Sequence, residues 1–171
     1  EPGQGYGIEW CYKSPEDLGR SDESKVLLLD ELRSKIDQLN PLLESDFHKI
    51  DQVIYELNSI LINVHHQGLV RSNEKFLQWL TGEKTMPLGE NGKHISIHLI
   101  DFENPANNSY TITNQFRVLS AQRETKIPDV VLFINGIPVV VGEAKTPVNS
   151  RISWMDGAQE VHEVYENTVR Q

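Results

Sequence analysis

One apolar hairpin constrains this chain more than any other stretch. Residues 127–147 read IPDVVLFINGIPVVVGEAKTP. Asn135-Gly136 is a strong two-residue hairpin signal, because a type I′ turn needs positive φ at both central positions and these residue types tolerate it. It folds DVVLFI back onto PVVVGEAK. The runs VVLFI and VVV are continuous rather than alternating, which predicts strands covered on both faces. The charges gather at the open end: Asp129 before the first strand, Glu143 and Lys145 after the second. Glu143 and Lys145 are two residues apart and so share one face of the sheet.

Asp129 joins that face only under a condition on register. A plain two-residue turn sets Asp129 opposite Gly142 and puts Glu143 on the other face. The two carboxylates share a face only if the hairpin gains one residue of offset, through a β-bulge or an odd-length loop. We expect that feature near Gly136 or Gly142. Charges at strand ends also serve simply to keep an edge soluble, so the spacing alone carries little. Their confinement to one end of an apolar hairpin, with Pro128 directly before Asp129, supports a chemical reading. Two adjacent carboxylates repel, and they stay ionised most easily around a divalent cation. Mg²⁺ prefers oxygen ligands, keeps several waters and accepts substrate phosphates. Such an ion polarises a phosphodiester and acidifies its bound water. A neighbouring lysine can orient or deprotonate that water, or offset charge building on phosphate oxygens. The carbonyl of Ala144 is a further candidate ligand. The set suits hydrolysis of DNA.

Helical periodicity fills the first half of the chain. SPEDL reads as a helical turn capped by Ser14. SDESKVLLLDELRSKIDQLNP reads as a helix carrying Leu28, Leu29, Leu32, Ile36 and Leu39, stopped at Asn40-Pro41. SDFHKIDQVIYELNSIL reads as a second helix, capped by Ser45, with Ile50, Val53, Ile54, Leu57, Ile60 and Leu61 on one face. HHQG breaks the chain, and LVRSNEKFLQWL forms a third helix ending at Gly82. Thereafter HISIHLIDF and YTITNQFRVL read as strands joined by the ENPANN loop. MDGAQEVHEVYENTV closes as a helix. Helices, then strands, then a helix predict an α/β (α+β) fold with a mixed sheet of about four or five strands flanked by helices. The expected division is a helical part over 1–69 packing on a core over 70–171.

At the hairpin the sequence resembles the PD-(D/E)xK nuclease superfamily, with Pro128-Asp129 and Glu143-Ala144-Lys145 as its motif residues. Over nearly the whole length it resembles the N-terminal endonuclease region of the R subunit of type I restriction enzymes. The stretches that carry this are GLVRSNEKFLQWLTGEKT, HLIDFENPANNSYTITNQFRV, PDVVLFINGIPVVVGEAKTP and SWMDGAQEVHEVYENTV. The resemblance implies a restriction-endonuclease-like core. It implies Asp129 and Glu143 as metal ligands, Lys145 as the catalytic lysine, and Mg²⁺-dependent cleavage of double-stranded DNA. It implies partners as well, a methyltransferase (modification) subunit and a specificity subunit, and ATP-driven motor domains. No G-x-x-x-x-G-K-[ST] phosphate loop occurs, so ATP is expected to serve domains outside this chain. Many nucleases of the superfamily bring a helix acid to the metal. Glu74, expected at the border of the apolar face marked by Val70 and Leu77, is the candidate, with a boundary salt bridge as its alternative. The Q-x-x-x-Y pattern of related nucleases is not matched, since Gln159 and Tyr165 are six apart. Gln159 remains a candidate contact to DNA or Lys145. A docking module without activity, or a repair nuclease of the same superfamily, are the alternatives.

Charge stands against a role on DNA. Sixteen Lys and Arg face 25 Asp and Glu, a net −9, and an acidic surface repels nucleic acid. Arg117, Arg123 and Lys126, just before the hairpin or beside it, are the expected local basic patch toward phosphate, and basic partners would supply further grip. The single Cys11 excludes an internal disulfide and suits the cytoplasm. No apolar run approaches the roughly 18 residues that cross a bilayer, so no membrane role is expected. The N-terminal stretch has neither the basic patch nor the apolar core of a signal peptide. His65-His66 point different ways on a helix and make a poor metal pair, and Trp79 and Trp154 are expected as buried anchors.

Overall fold

The computed structural model describes residues 8–119, 124–144 and 154–162. Along the chain come strand β1 (Trp10–Tyr12) and helices α1 (Leu29–Leu39), α2 (Phe47–Ile62), α3 (Val64–Gln67) and α4 (Leu69–Leu80). Short strands β2 (Thr85–Met86) and β3 (Ile95–Ser96) follow, then β4 (Tyr110–Asn114), β5 (Val118–Leu119) and β6 (Thr125–Lys126). The hairpin strands β7 (Val130–Ile134) and β8 (Ile137–Gly142) precede helix α5 (Trp154–Glu160). The fold is α+β, with a mixed four-stranded sheet. Its described residues form two compact units: Leu29–Ser109, and Trp10–Leu28 together with the chain from Tyr110 onward.

The first unit holds the three long helices that periodicity predicts. α2 buries Ile50, Val53, Ile54 and Leu57 of the expected stripe, while Ile60 and Leu61 are only half-buried. Its cap is Asp46, whose side chain accepts from the His48 N–H, and not the expected Ser45, which lies at φ 54°. HHQG breaks the chain at its glycine, Gly68, at φ 82°, while its first three residues belong to the short helix α3. α4 spans the expected residues, but its buried side chains are Ser72 and Trp79. Trp79, the largest side chain on the helix, lies on the buried face. Val70 and Leu77 are 71% and 58% exposed, so Glu74 lies on an open stripe rather than at a core boundary.

HISIHLIDF forms a ladder only at Ile95–Ser96, paired antiparallel with Thr85–Met86. The reason lies in Asn40. This buried side chain donates Nδ2 to the His98 carbonyl at 2.8 Å and accepts the His98 N–H on Oδ1 at 2.7 Å. One amide thus satisfies the backbone groups a neighbouring strand would otherwise take. The same Nδ2 donates to the Ile36 carbonyl at 2.7 Å, closing α1. The ENPANN loop is tied by Asp101. Its Oδ1 accepts the Asn104 and Glu103 N–H groups, and its Oδ2 accepts from Asn107 Nδ2.

The second unit is built on the sheet, ordered β1-β4-β7-β8. β1 runs parallel to β4, and the other pairs are antiparallel. β1 carries no alternation and only three residues, which is why periodicity misses it. Leu18, Leu28, Phe116, Val118, Val131 and Phe133 form the core, with the Phe116 and Phe133 rings 5.3 Å apart and edge to face. The Arg20 guanidinium lies 3.9 Å above Phe116, and burial pushes its pKa down. It donates to the carbonyls of Lys25 and Arg117. The expected first helix starts late, at Leu29. Leu28 instead gives its N–H to the Gly136 carbonyl at 2.9 Å and packs in the sheet core. The second hairpin strand also departs from expectation. Val139, Val140 and Val141 are 39%, 49% and 39% exposed, because β8 is an outer strand.

Candidate active site

The hairpin carries the offset that its charges demand. Ile134 pairs with Ile137 and Phe133 with Pro138, as a two-residue turn dictates. Leu132 then pairs with Val140, Val131 with Val141 and Val130 with Gly142. Val139 has no partner in the ladder and is the bulge residue. The ladder ends at that pair, and its register continued by one step would bring Glu143 opposite Asp129, on the same face. The extra residue was expected near a glycine. It falls instead on a valine of the exposed strand, where an additional side chain meets solvent rather than core.

Asp129 lies between two strand ends. Its Oδ2 accepts the Ala144 N–H at 2.8 Å, from the end of β8. Its Oδ1 accepts from Gln115 Nε2 at 2.8 Å, from the end of β4. Gln115 also gives its own N–H to the Asp129 carbonyl at 3.1 Å, and the next residue, Phe116, gives its N–H to the Pro128 carbonyl at 3.1 Å. Consecutive N–H groups of a regular strand point to opposite sides. Here both point to the same neighbour, because Gln115 is in the left-handed region at φ 47°. This also ends β4 and cuts the expected YTITNQFRVL strand into two. The polar pair Asn114-Gln115 inside an otherwise strand-like run was the available signal for this residue.

Asp129 and Glu143 are both half-buried. Each Asp129 oxygen accepts one hydrogen bond and retains a second lone-pair direction. The candidate ligands, the Asp129 and Glu143 carboxylates and the Ala144 carbonyl, are hard oxygen donors, the chemistry that fits Mg²⁺ held by few protein ligands and several waters. Among the described residues no group of three or more His, Cys, Asp or Glu that could hold a metal ion converges.

Lys145, Arg123 and Tyr165 lie outside the described residues. Arg117 faces the Glu23 carboxylate at 3.9 Å, and Lys126 faces Glu124 at 3.1 Å, so each of these cations has an acid beside it. Gln159 is exposed on α5, and Glu74 is exposed on α4 in the helical unit. No helix of the described residues is long and apolar enough to cross a membrane.

Comparison with known proteins gives a consistent picture. Residues 3–171 match the family model described as type I restriction enzyme R protein N terminus. The chain is 31% identical over 150 residues to the "Type I restriction enzyme HindI endonuclease subunit" of Haemophilus influenzae, covering 82% of this chain and 14% of that protein. It is 26% identical over 142 residues to the "Putative type I restriction enzyme MjaIXP endonuclease subunit" of Methanocaldococcus jannaschii, covering 81% of this chain and 13% of that protein. The chain therefore spans about a seventh of the length of these relatives. No solved structure matches it.

Proposed function

This chain belongs to the family of type I restriction enzyme R protein N termini, and from that membership we propose that it is the Mg²⁺-dependent domain of an R subunit that cleaves double-stranded DNA. The observation that carries the reading is the single-residue offset at Val139, whose register, continued one step past the Val130–Gly142 pair, would bring Glu143 opposite Asp129. Without it the motif residues would sit on opposite faces of the sheet.

In this reading Asp129, Glu143 and the Ala144 carbonyl hold the ion. When bound, the ion polarises a phosphodiester and makes its water more acidic. Lys145, which lies outside the described residues, is the proposed catalytic lysine and orients the attacking water or offsets charge on the phosphate oxygens. Glu74 enters as a further ligand only through the family resemblance. Arg117, Arg123, Lys126 and Gln159 are the proposed contacts to the DNA backbone. The net charge of −9 makes these local contacts insufficient for tight binding. Methyltransferase and specificity subunits would supply the remaining grip and the site recognition, in a cytoplasmic complex whose ATP is used by motor domains elsewhere.

The test uses the intact complex. Asp129→Ala, Glu143→Ala and Lys145→Ala should each abolish DNA cleavage while ATP hydrolysis and subunit assembly persist. Cleavage that survives all three changes would leave the chain as a docking module and end the nuclease reading.

A further inference from the structure

Resting on the reading of Asp129 as a metal ligand, we propose that Gln115 is the positioning residue for its carboxylate, fixing the direction in which it meets the ion. Three neighbouring strands end together here: β4 at Asn114, β7 starting at Val130, and β8 at Gly142. Asp129 directly precedes the middle one, β7. The outer two each donate to a different oxygen of its carboxylate, Gln115 Nε2 to Oδ1 and the Ala144 N–H to Oδ2, both at 2.8 Å. A side chain held at both oxygens cannot rotate about its last bond. The only lone-pair directions left lie away from those donors, so the geometry of metal capture is set before the ion arrives.

The backbone shows that this arrangement is imposed. Gln115 is not a glycine, yet its φ is 47°. A residue other than glycine is held in that region only where its surroundings over-determine it, and such positions cluster at functional sites. The left-handed turn does two things at once. It aims the N–H groups of Gln115 and Phe116 at β7, locking the Pro128-Asp129 backbone. It also turns the Gln115 side chain along the sheet edge to reach Oδ1. The preceding side chain is engaged with the other neighbouring strand, Asn114 Oδ1 accepting from the Tyr12 hydroxyl of β1 at 2.9 Å. Below Gln115, Phe116 is clamped between Phe133 and the Arg20 guanidinium, which fixes the base of the turn.

The test measures Mn²⁺ binding to the full chain by electron paramagnetic resonance, without DNA and without turnover. Gln115→Asn keeps an amide and tolerates the left-handed backbone, but is one carbon too short to reach Oδ1. Gln115→Gly removes the amide and relaxes the backbone. Both variants should bind Mn²⁺ about tenfold or more weakly, the usual effect of removing an outer partner of a metal ligand. Their thermal unfolding should match the wild type. Mn²⁺ affinity within twofold of wild type in both variants, with Asp129→Ala abolishing binding, overturns the role of Gln115 and leaves the metal site standing. Binding that survives Asp129→Ala removes the site itself. If both Gln115 variants fail to fold, the residue is structural and the positioning role is refuted.

Discussion

Val139, Val140 and Val141 are chemically identical, so adding or removing one valine changes the length of β8 and nothing else. That makes the hairpin register directly testable. Removing one valine deletes the bulge, and the ladder then runs unbroken from Ile134 and Ile137 to the site. Glu143 stays opposite Asp129, with Cβ atoms about 4.5–5.5 Å apart as in any opposed antiparallel pair. Adding one valine, with a single bulge kept, returns Gly142 to the place opposite Asp129. Glu143 then moves about 3.4 Å along the strand and turns to the other face. A second bulge would restore the pairing only by leaving two residues of a short edge strand outside the ladder. Neither change should harm folding much. The three valines are 39–49% exposed, so the burial at stake is well below the ~1.5–3 kcal/mol of a fully buried aliphatic side chain. Loss of a carboxylate ligand should weaken Mn²⁺ binding by at least the ~100-fold upper range seen for outer-shell changes, which is about 2.7 kcal/mol. Mn²⁺ titration and DNA cleavage of both length variants, with thermal melting as the folding control, decide the matter. A folded insertion variant that binds and cleaves normally refutes the register argument. So does a folded deletion variant that does neither.

Two further outcomes follow from the same geometry. Phe133 is fully buried and edge-on to Phe116; Phe133→Ala should lower the unfolding free energy by roughly 3–5 kcal/mol, of which ~0.5–1.5 belongs to the ring pair. Urea denaturation showing a loss under about 1 kcal/mol would mean that this core is not where the sheet unit draws its stability. Asp101 is held below the usual carboxylate range, first by the Asn104 N–H and then by the Asn107 amide. Its folded-state pKa is depressed, so its contribution is present above the ordinary carboxylate pKa and fades as pH falls through the lowered value. Amide protection factors at Glu103 and Asn104, corrected for intrinsic exchange, should therefore drop only below about pH 4. Protection that does not change with acid would show that the loop is held by something other than this carboxylate.

The hairpin, the α2 stripe and the span of α4 are legible in sequence because each is a local pattern with one physical cause. Asn-Gly selects the turn, and apolar residues at helical spacing select the buried face. The need for an offset was legible too, since two carboxylates that must share a face cannot do so across a plain turn. Its position was not. A bulge settles where an unpaired residue is least costly, and that depends on β8 being an outer strand, which is a property of strand order rather than of local sequence. The other misses have the same origin. Leu28 fits the periodicity of α1, yet its N–H is taken by Gly136, 108 residues away, and the helix starts after it. HISIHLIDF has strand propensity, yet the Asn40 side chain, 58 residues away, takes its backbone groups. In each case a hydrogen bond with a distant residue accompanies the departure from the local preference, and nothing in the nearby sequence signals it. Gln115 is the functional counterpart. Strand propensity runs through it, and the turn that breaks the strand there also delivers its amide to Asp129. A break of local pattern next to a charged strand end is thus the place where sequence reading fails and where the proposed chemistry is arranged.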